Sequence, residues 1–260
     1  MKVPVVKSEP MRELEGIGHG FFTRLGGVSE GAFSSLNCSP ISGDKSDAIE
    51  ANRQIVASKL GGRVLVTNRQ MHGKNVRVIG PDNELNQIVE ADGLVTRELG
   101  VCIGALGADC APVLFAEPET MIIGVAHVGW QGGLAGVTDV MLATMKQMGA
   151  SWDSIYCCIG PAIQRESYEV GGEFKNRLLA ESLIDAESCF TVHAESGNVH
   201  FDLPLYIEKR LRHRGLKLID RCDQDTYSDN ERFFSYRRTC HRGERLYGRQ
   251  VGAICLLEDA

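Results

Sequence analysis

A cysteine and a histidine that could share one site stand at the ends of two neighbouring apolar runs. Cys110 directly precedes the run of residues 111–116, and His127 directly follows the run of residues 121–126. The turn between the runs contains Pro118, and short apolar runs bounded by turn residues are typical of buried strands. If the two strands pair as a hairpin, the start of the first lies beside the end of the second. Cys110 would then meet His127 at one edge of the sheet.

A thiolate beside an imidazole can do two kinds of chemistry. The pair can bind a soft or borderline metal ion, or it can act as a nucleophile and its base. Gly129, Gly132 and Gly133 follow the histidine, so the backbone there can turn tightly and approach a ligand closely. Residues 107–132 are therefore the predicted centre of the chemistry.

The elements that would position this pair are mostly strands. Apolar runs between turn residues predict strands at residues 3–6, 18–24, 63–66, 75–79, 94–96, 101–106, 111–116, 121–126, 156–159, 189–193, 199–202, 216–219 and 251–257. Apolar residues at helical spacing predict helices at residues 46–60, 137–148, 172–184 and 203–214. Strands outnumber helices and alternate with them irregularly, which favours an α/β or α+β layered fold with a mixed sheet. We interpret residues 1–260 as one domain.

Two of the predicted helices carry more specific expectations. The helix at residues 46–60 is expected to begin with Ser46 as its N-cap and to stop at Gly61. The helix at residues 203–214 is rich in basic residues, and its polar face is expected to be solvated.

Composition and charge argue against several classes of function. With 260 residues and 43% hydrophobic content, the chain can bury a sizeable core. Its formal net charge of -6 argues against a general nucleic-acid-binding protein. The apolar runs are too short to span a membrane, and the N-terminal residues lack the apolar segment of a secretory signal. We therefore expect a cytoplasmic protein with neither nucleic acid nor a membrane as its partner.

The nine cysteines are expected to be reduced, because their spread along the chain shows no dense disulfide framework. Four of them lie within apolar runs and are predicted core residues, namely Cys102, Cys157, Cys158 and Cys255. Cys110 differs from these, since Asp109 precedes it and a proline follows two residues later.

Short motifs in a fixed order extend over most of the chain. They are HGFFTRLGGVS (19–29), SLN (35–37), NR (52–53), QMHG (70–73), ADG (91–93), ADCAP (108–112), AHVGWQG (126–132), IGPAI (159–163), YEV (168–170), SYRR (235–238) and GRQ (248–250). Each is weak alone, but together they are specific. In these motifs the chain resembles the laccase-domain family, also called YfiH-like or multicopper polyphenol oxidase-like proteins.

The resemblance implies a fold and a metal site. The implied fold is a layered α/β (α+β) sandwich of mixed β-sheets flanked by helices. The implied ligands of a zinc ion are His72, Cys110 and His127. Three protein ligands leave a fourth position for water or substrate, which is typical of a catalytic zinc. Without the resemblance, His72 beside a glycine would be interpreted as a solvated loop residue.

The resemblance also implies an activity on purine nucleosides. The expected reactions are phosphorolysis of adenosine, inosine, guanosine and methylthioadenosine, accompanied by deamination of adenosine. Deamination needs a carboxylate that is not a metal ligand, for which Asp109 and Glu169 are the candidates. Trp130 and Tyr168 are each candidates for stacking on the purine or for a place in the core.

Arginine side chains are the expected phosphate ligands, because they bind phosphate bidentately. The family motif has arginine where this chain has Gln131, so another arginine is expected to replace that charge. The candidates are Arg24, Arg53, Arg237, Arg238 and Arg249. Gly26 and Gly27 can form a turn that presents Arg24 or Asn37 to a ligand.

The sequence is also compatible with three other functions. A copper-dependent polyphenol oxidase would use the same ligands, since copper also binds cysteine and histidine. A metal-free hydrolase would use Cys110 as its nucleophile and His127 as its base. A binding protein would hold zinc for structure alone, but that normally requires four ligands. The oligomeric state is not predicted.

Overall fold

Strands account for much of the regular structure, as the apolar runs predict. The computed structural model describes residues 3–85, 87–193 and 196–258, so the prediction of one domain over residues 1–260 extends beyond the described residues. The strands are β1 (Val5–Val6), β2 (Ile17–Phe22), β3 (Val64–Thr67), β4 (Val76–Ile79), β5 (Gly93–Thr96), β6 (Val101–Gly107), β7 (Ala111–Glu117), β8 (Ile122–Val128), β9 (Tyr156–Ile159), β10 (Glu169–Val170), β11 (Phe190–Val192), β12 (Val199–Phe201), β13 (Leu218–Arg221) and β14 (Gln250–Leu256).

Seven α-helices are found among the described residues. They are α1 (Glu9–Arg12), α2 (Ser46–Lys59), α3 (Trp130–Ala135), α4 (Val137–Gln147), α5 (Gly172–Glu181), α6 (Leu203–His213) and α7 (Tyr236–His241). Short 3-10 turns lie at Gly31–Phe33, Trp152–Ser154, Arg165–Ser167 and Glu187–Cys189. Within the described ranges, none of the helices has both the length and the apolar character needed to cross a membrane.

The strands form two large mixed sheets and one small sheet. The six-stranded sheet has the order β13-β9-β7-β8-β5-β4, and the five-stranded sheet has the order β1-β2-β14-β6-β3. Each large sheet contains parallel and antiparallel pairs, whereas the small sheet, β10-β12-β11, is antiparallel. This mixed arrangement of sheets and helices confirms the predicted fold class.

The two large sheets pack face to face, with helices on their outer sides. Along β7, Val113 and Phe115 pack in a core with α4 and α6, whereas Leu114 packs with the five-stranded sheet. These are two separate cores, one on each face of the six-stranded sheet. A third core lies on the other face of the five-stranded sheet, where Val56 and Ala57 of α2 pack against it. The order of layers is therefore helix, sheet, sheet, helix, in agreement with the alternation of side chains along strands.

The structure corrects two expectations about helices. Lys45, rather than Ser46, is the N-cap of α2, and Ser46 is its first helical residue. The polar face of α6 is not wholly solvated, since Arg210 is 2% exposed and its guanidinium hydrogen-bonds to Asp139 of α4. A buried guanidinium needs a charged partner because an uncompensated charge in the core is strongly destabilising. Gly61 does stop α2, with a φ of 81°.

The sequence pattern does not predict the short helices α3 and α7, and the reason is physical. The α3 sequence contains two adjacent glycines and the α7 sequence is mostly polar, so neither shows an apolar face at helical spacing.

The prediction that the cysteines are reduced and mostly buried in the core is confirmed. All nine cysteines are free, and Cys102, Cys157, Cys158 and Cys255 are buried.

Candidate metal centre

The predicted hairpin exists and brings Cys110 to His127. Strands β7 and β8 pair antiparallel, with Ala111 opposite Val128 and Pro112 opposite His127. Cys110 immediately precedes β7, and His127 lies within β8, one residue before its end. The pairing thus places the thiol and the imidazole at the same edge of the six-stranded sheet.

His72 reaches this edge from the loop between β3 and β4. Its Nε2 lies 3.8 Å from the Cys110 Sγ, and its ring centroid lies 4.9 Å from that of His127. The candidate ligand atoms of the three residues all lie within 4.8 Å of one another. His72 adopts a φ of 59°, which is uncommon for a residue other than glycine. The loop therefore holds an unusual backbone conformation in order to present this imidazole.

The three side chains fit a zinc ion. Two imidazoles and one thiolate are a donor set that zinc prefers, although copper also accepts it. Around a tetrahedral zinc, a nitrogen and a sulfur ligand would lie about 3.6 Å apart, given ordinary zinc–ligand bond lengths. The observed separation of 3.8 Å between Nε2 and Sγ is close to that value. With three protein ligands, one coordination position would remain for water or substrate.

Asp92 connects both histidines. Its Oδ1 lies 2.9 Å from the Nδ1 of His127, so the histidine presents Nε2 to the centre. The same carboxylate accepts the backbone N–H groups of Met71, His72 and Gly73 at 3.1, 2.9 and 2.7 Å. Burial alone would raise the pKa of Asp92, but these hydrogen bonds outweigh it and hold the pKa below its usual range.

The centre contains a charged pair when no metal is bound. Burial alone would raise the pKa of the Cys110 thiol, but the charges and hydrogen bonds of His127 and His72 lower it to about 6. Burial alone would lower the pKa of His127, but the Cys110 thiolate and Asp92 raise it to about 9. Between these values, Cys110 is a thiolate beside an imidazolium.

A cavity of ≈ 370 Å³ opens beside the three side chains. Its other polar lining residues include Ser39, Arg69, Gln70, Tyr236, Tyr247 and Arg249. The strand ends around it come from both large sheets, since Thr67 ends β3 and Gly107 ends β6 of the five-stranded sheet, whereas Cys110 precedes β7 of the six-stranded sheet. Arg69 and Arg249 are among the described lining residues, whereas aspartate and glutamate are not, so the lining carries positive charge that suits an anionic ligand.

Arg249 is held in place at the cavity wall. Its Nη1 donates to the Ser39 hydroxyl at 2.9 Å, and its Nη2 donates to the Tyr247 hydroxyl at 2.8 Å. Its backbone N–H donates to the Oδ1 of Asn37 at 3.0 Å. Asn37 is fully buried, so it positions the arginine from behind rather than contacting the cavity itself.

The two carboxylates proposed from sequence lie outside the cavity lining. Asp109 is buried, and its carboxylate accepts the Thr226 hydroxyl at 2.9 Å and the Arg237 backbone N–H at 2.7 Å. Burial raises the pKa of Asp109 despite these bonds. Glu169 is exposed on β10, where its side chain accepts a hydrogen bond from Asn198.

Most of the proposed arginines are occupied elsewhere. Arg24 donates to the backbone oxygens of residues 34 and 230, and Arg237 donates to that of residue 169. Arg53 donates to the backbone oxygens of residues 38 and 65 and to a threonine hydroxyl. Arg238 donates to the backbone oxygens of residues 226, 227 and 233. Gln131 is exposed on α3, away from the cavity lining.

The two aromatic candidates belong to an aromatic cluster rather than to the cavity. Trp130 packs edge to face on Phe174, with ring centroids 4.9 Å apart, and Tyr168 packs on Phe201 at 5.8 Å. The aromatic side chains at the cavity are instead Tyr236 and Tyr247, whose centroids lie 5.3 Å apart. Sequence reasoning missed both tyrosines and Asp92. The ADG motif was the available signal for Asp92, and the SYRR motif was the signal for Tyr236.

Gly129 provides the space for the centre. A Cβ atom at this position would lie 2.8 Å from the Cys110 Sγ and 3.1 Å from the His72 Cδ2. Gly129 is the N-cap of α3 with extended backbone angles, so steric room rather than backbone freedom requires glycine.

The chain is similar in sequence and in fold to known proteins. The family model described as multi-copper polyphenol oxidoreductase laccase matches residues 18–257. Purine nucleoside phosphorylase YfiH of Escherichia coli is 31% identical over 94% of this chain and 95% of its own. A purine nucleoside phosphorylase of Pseudomonas aeruginosa is 33% identical over a region that covers 85% of this chain and 88% of its own. The solved structure of the hypothetical protein YfiH of Bacillus licheniformis has a TM-score of 0.86 at 27% identity, covering 97% of this chain and 99% of its own.

We expect Gly129→Ala to reduce bound metal without unfolding the protein, because the new methyl group would collide with Cys110 and His72. The metal content per chain and the thermal unfolding midpoint are the measurements. Gly171→Ala is the matched control, since Gly171 is also an extended N-cap and a Cβ there meets nothing within 4 Å. Equal metal content in the two variants would contradict the assigned role of Gly129.

We expect iodoacetamide to alkylate Cys110 of the metal-free protein with a pH midpoint near 6 instead of the ordinary thiol value of 9.0. The reason is that the thiolate is the reactive form and His127 stabilises it. Peptide mapping by mass spectrometry would follow Cys110, and Cys110→Ser would identify the modified peptide. A rate that rises only above pH 8 would refute the charged pair.

Proposed function

The chain belongs to the multi-copper polyphenol oxidoreductase laccase family, and we propose that it acts within this family as a zinc-dependent purine nucleoside phosphorylase. Adenosine, inosine, guanosine and methylthioadenosine are the proposed nucleoside substrates, and inorganic phosphate is the second substrate. The match to the family over residues 18–257 also supports our proposal that the chain is one domain.

One observation carries the proposal. The three-ligand centre opens into a cavity whose described lining contains two arginines and neither aspartate nor glutamate. A negatively charged phosphate would be repelled by carboxylates and attracted by guanidinium groups. The relatives named purine nucleoside phosphorylases support the same chemistry.

Arg249 is the proposed phosphate ligand. Its guanidinium is braced by Ser39 and Tyr247 and lies on the cavity wall. Arg69, the other arginine of the lining, is half-exposed and lies 3.5 Å from Glu90, which partly neutralises it. A braced guanidinium loses less side-chain entropy when it binds an anion, so Arg249 is the better of the two.

Tyr236 and Tyr247 are the proposed contacts to the purine. Tyr236 is 54% exposed and lines the cavity, so its side chain is accessible to a base bound there. Stacking of a base on an aromatic side chain contributes about 1–3 kcal/mol and tolerates different bases. Such tolerance fits a substrate range that includes both adenine and hypoxanthine nucleosides.

In the proposed reaction, an oxygen of phosphate forms a bond to C1′ of the ribose while the bond from C1′ to the purine nitrogen breaks. The electron pair of the broken bond moves to the purine, which takes up the proton that the phosphate loses and leaves as the free base. Ribose 1-phosphate is the other product. The cavity residues would orient the two substrates, and orientation alone supplies a large part of the barrier reduction in such displacements.

The proposed metal is zinc, held by His72, Cys110 and His127. When bound, zinc supplies a Lewis-acidic positive charge at its open coordination position. Oxidation of phenols by several coppers is disfavoured, because that chemistry needs further copper sites. The sequence has seven histidines, and within residues 3–85, 87–193 and 196–258 one cluster of possible ligands is found.

Adenosine deamination is proposed only as a side activity. Zinc deaminases use a carboxylate that is not a metal ligand to move the proton. Asp92 is occupied by His127 and by backbone N–H groups, and Asp109 is occupied by Thr226 and Arg237. We therefore expect phosphorolysis to be the faster reaction.

A product assay tests the proposal. Zinc-loaded protein given inosine should release hypoxanthine and ribose 1-phosphate only when phosphate is present, as measured by chromatography. The same assay with adenosine and no phosphate would detect inosine from deamination. His72→Ala should lose bound zinc and phosphorolysis together. Full zinc occupancy without release of base in the presence of phosphate would reject the proposal.

Arg249→Gln should raise the KM for phosphate by about 10–100-fold, because a charge-assisted hydrogen bond contributes about 1.5–3 kcal/mol. The KM for inosine should change much less. Arg177→Gln is the control, since Arg177 stacks over Trp130 outside the cavity and should leave both constants unchanged. An unchanged phosphate KM in a folded Arg249→Gln protein would remove Arg249 from the proposed site.

A further inference from the structure

We propose that Asp92 is the positioning residue that holds both histidine ligands in their metal-binding geometry. Asp92 is 3% exposed and does not line the cavity, so its role is exerted through other residues. This inference rests on the proposed zinc centre. It extends that proposal by naming the group on which the arrangement of the ligands depends.

Asp92 fixes His127 through two hydrogen bonds. Asp92 directly precedes β5, which pairs with β8, and its backbone oxygen accepts the His127 N–H at 2.7 Å. Its side-chain Oδ1 accepts the Nδ1–H of the same histidine at 2.9 Å. A histidine that donates from Nδ1 carries its free lone pair on Nε2. Residue 92 thus sets both the position of the His127 ring and the nitrogen that it offers to a metal.

Asp92 also fixes the loop that carries His72. The backbone N–H groups of residues 71, 72 and 73 all converge on the Asp92 carboxylate. Successive N–H groups that converge in this way form an anion-binding concavity. Here the anion is a side chain of the protein itself. The bond to His72 occurs at its uncommon φ of 59°, so the carboxylate stabilises the conformation that presents the ring.

His127 and the loop of His72 depend on a single carboxylate, and this makes the site sensitive to one substitution. In Asp92→Asn, the amide has one oxygen and one NH₂ group. If the oxygen stays on His127, the NH₂ group faces the N–H groups of Met71 and Gly73, and donor opposes donor. If the amide turns over, the NH₂ group faces Nδ1 of His127 and favours a proton on Nε2, where a metal would bind. In this second orientation the NH₂ group also faces the backbone N–H of His72, so either orientation impairs at least one of the two histidines.

Zinc affinity measured by competition with a chromophoric chelator tests the proposal. Asp92→Asn should bind zinc about 10–100-fold more weakly than the wild type, as is typical when a partner of a metal-ligating histidine is removed. Circular dichroism and the thermal unfolding midpoint of the metal-free proteins would show that the variant is folded.

Glu117→Gln is the matched control. Glu117 is also a fully buried carboxylate, and it accepts the Thr120 N–H at 2.8 Å and the Ser154 hydroxyl at 2.6 Å. It lies at the turn end of the same β7–β8 hairpin, opposite the metal centre. This variant should lower the unfolding midpoint but leave zinc affinity unchanged.

The outcomes separate the inference from the proposed function. Wild-type zinc affinity in a folded Asp92→Asn protein, or an equal loss of affinity in Glu117→Gln, would overturn the positioning role alone. Failure of the wild type to bind zinc would overturn the proposed centre, and the positioning role with it. Should Asp92→Asn fail to fold, ¹⁵N NMR of the zinc-loaded wild type decides, because ligation of His127 through Nδ1 would overturn the inference and ligation through Nε2 would support it.

Discussion

The antiparallel pairing of β7 with β8 is the constraint on which the rest of the site depends. This pairing puts Pro112 opposite His127, and Cys110 therefore stands beside the imidazole. Both strands are buried along their whole length, so each side chain has a fixed face to occupy. A slip of one residue would turn His127 away from the cavity and place core residues on the wrong side of the sheet. The packing of the two cores thus protects the register that the chemistry requires.

Two buried carboxylates fasten the surrounding loops to this hairpin. Asp92 holds the loop of His72, and Asp109 holds the start of α7 through the Arg237 N–H and the loop at Thr226. The start of α7 carries Tyr236, and the chain returns to the cavity at Tyr247. Hydrogen bonds to a buried charge are stronger than those between neutral groups, so two side chains suffice to fix otherwise irregular segments. The cavity wall is therefore tethered by hydrogen bonds on both sides of the centre.

Local patterns predicted the hairpin and most strands, because apolar runs and turn residues are short-range signals. The position of His72 could not be obtained in this way, and it came from the family resemblance. Local patterns also could not show which of the candidate arginines lies at the cavity. Arg24, Arg53, Arg237 and Arg249 are equivalent in sequence, but only Arg249 lies at the cavity, while the others donate to backbone oxygens. Which arginine is available depends on how distant loops meet, and that information is spread over the whole fold.

Gln131, which stands where the family motif has arginine, is not among the residues that line the cavity. Gln131 is the second residue of α3 and is exposed outside the cavity lining. The cationic character of the lining comes from Arg69 and Arg249, which belong to other segments. Replacing a charge at residue 131 therefore leaves the charges that face the proposed phosphate unchanged. The departure from the motif is consistent with the proposed phosphate site.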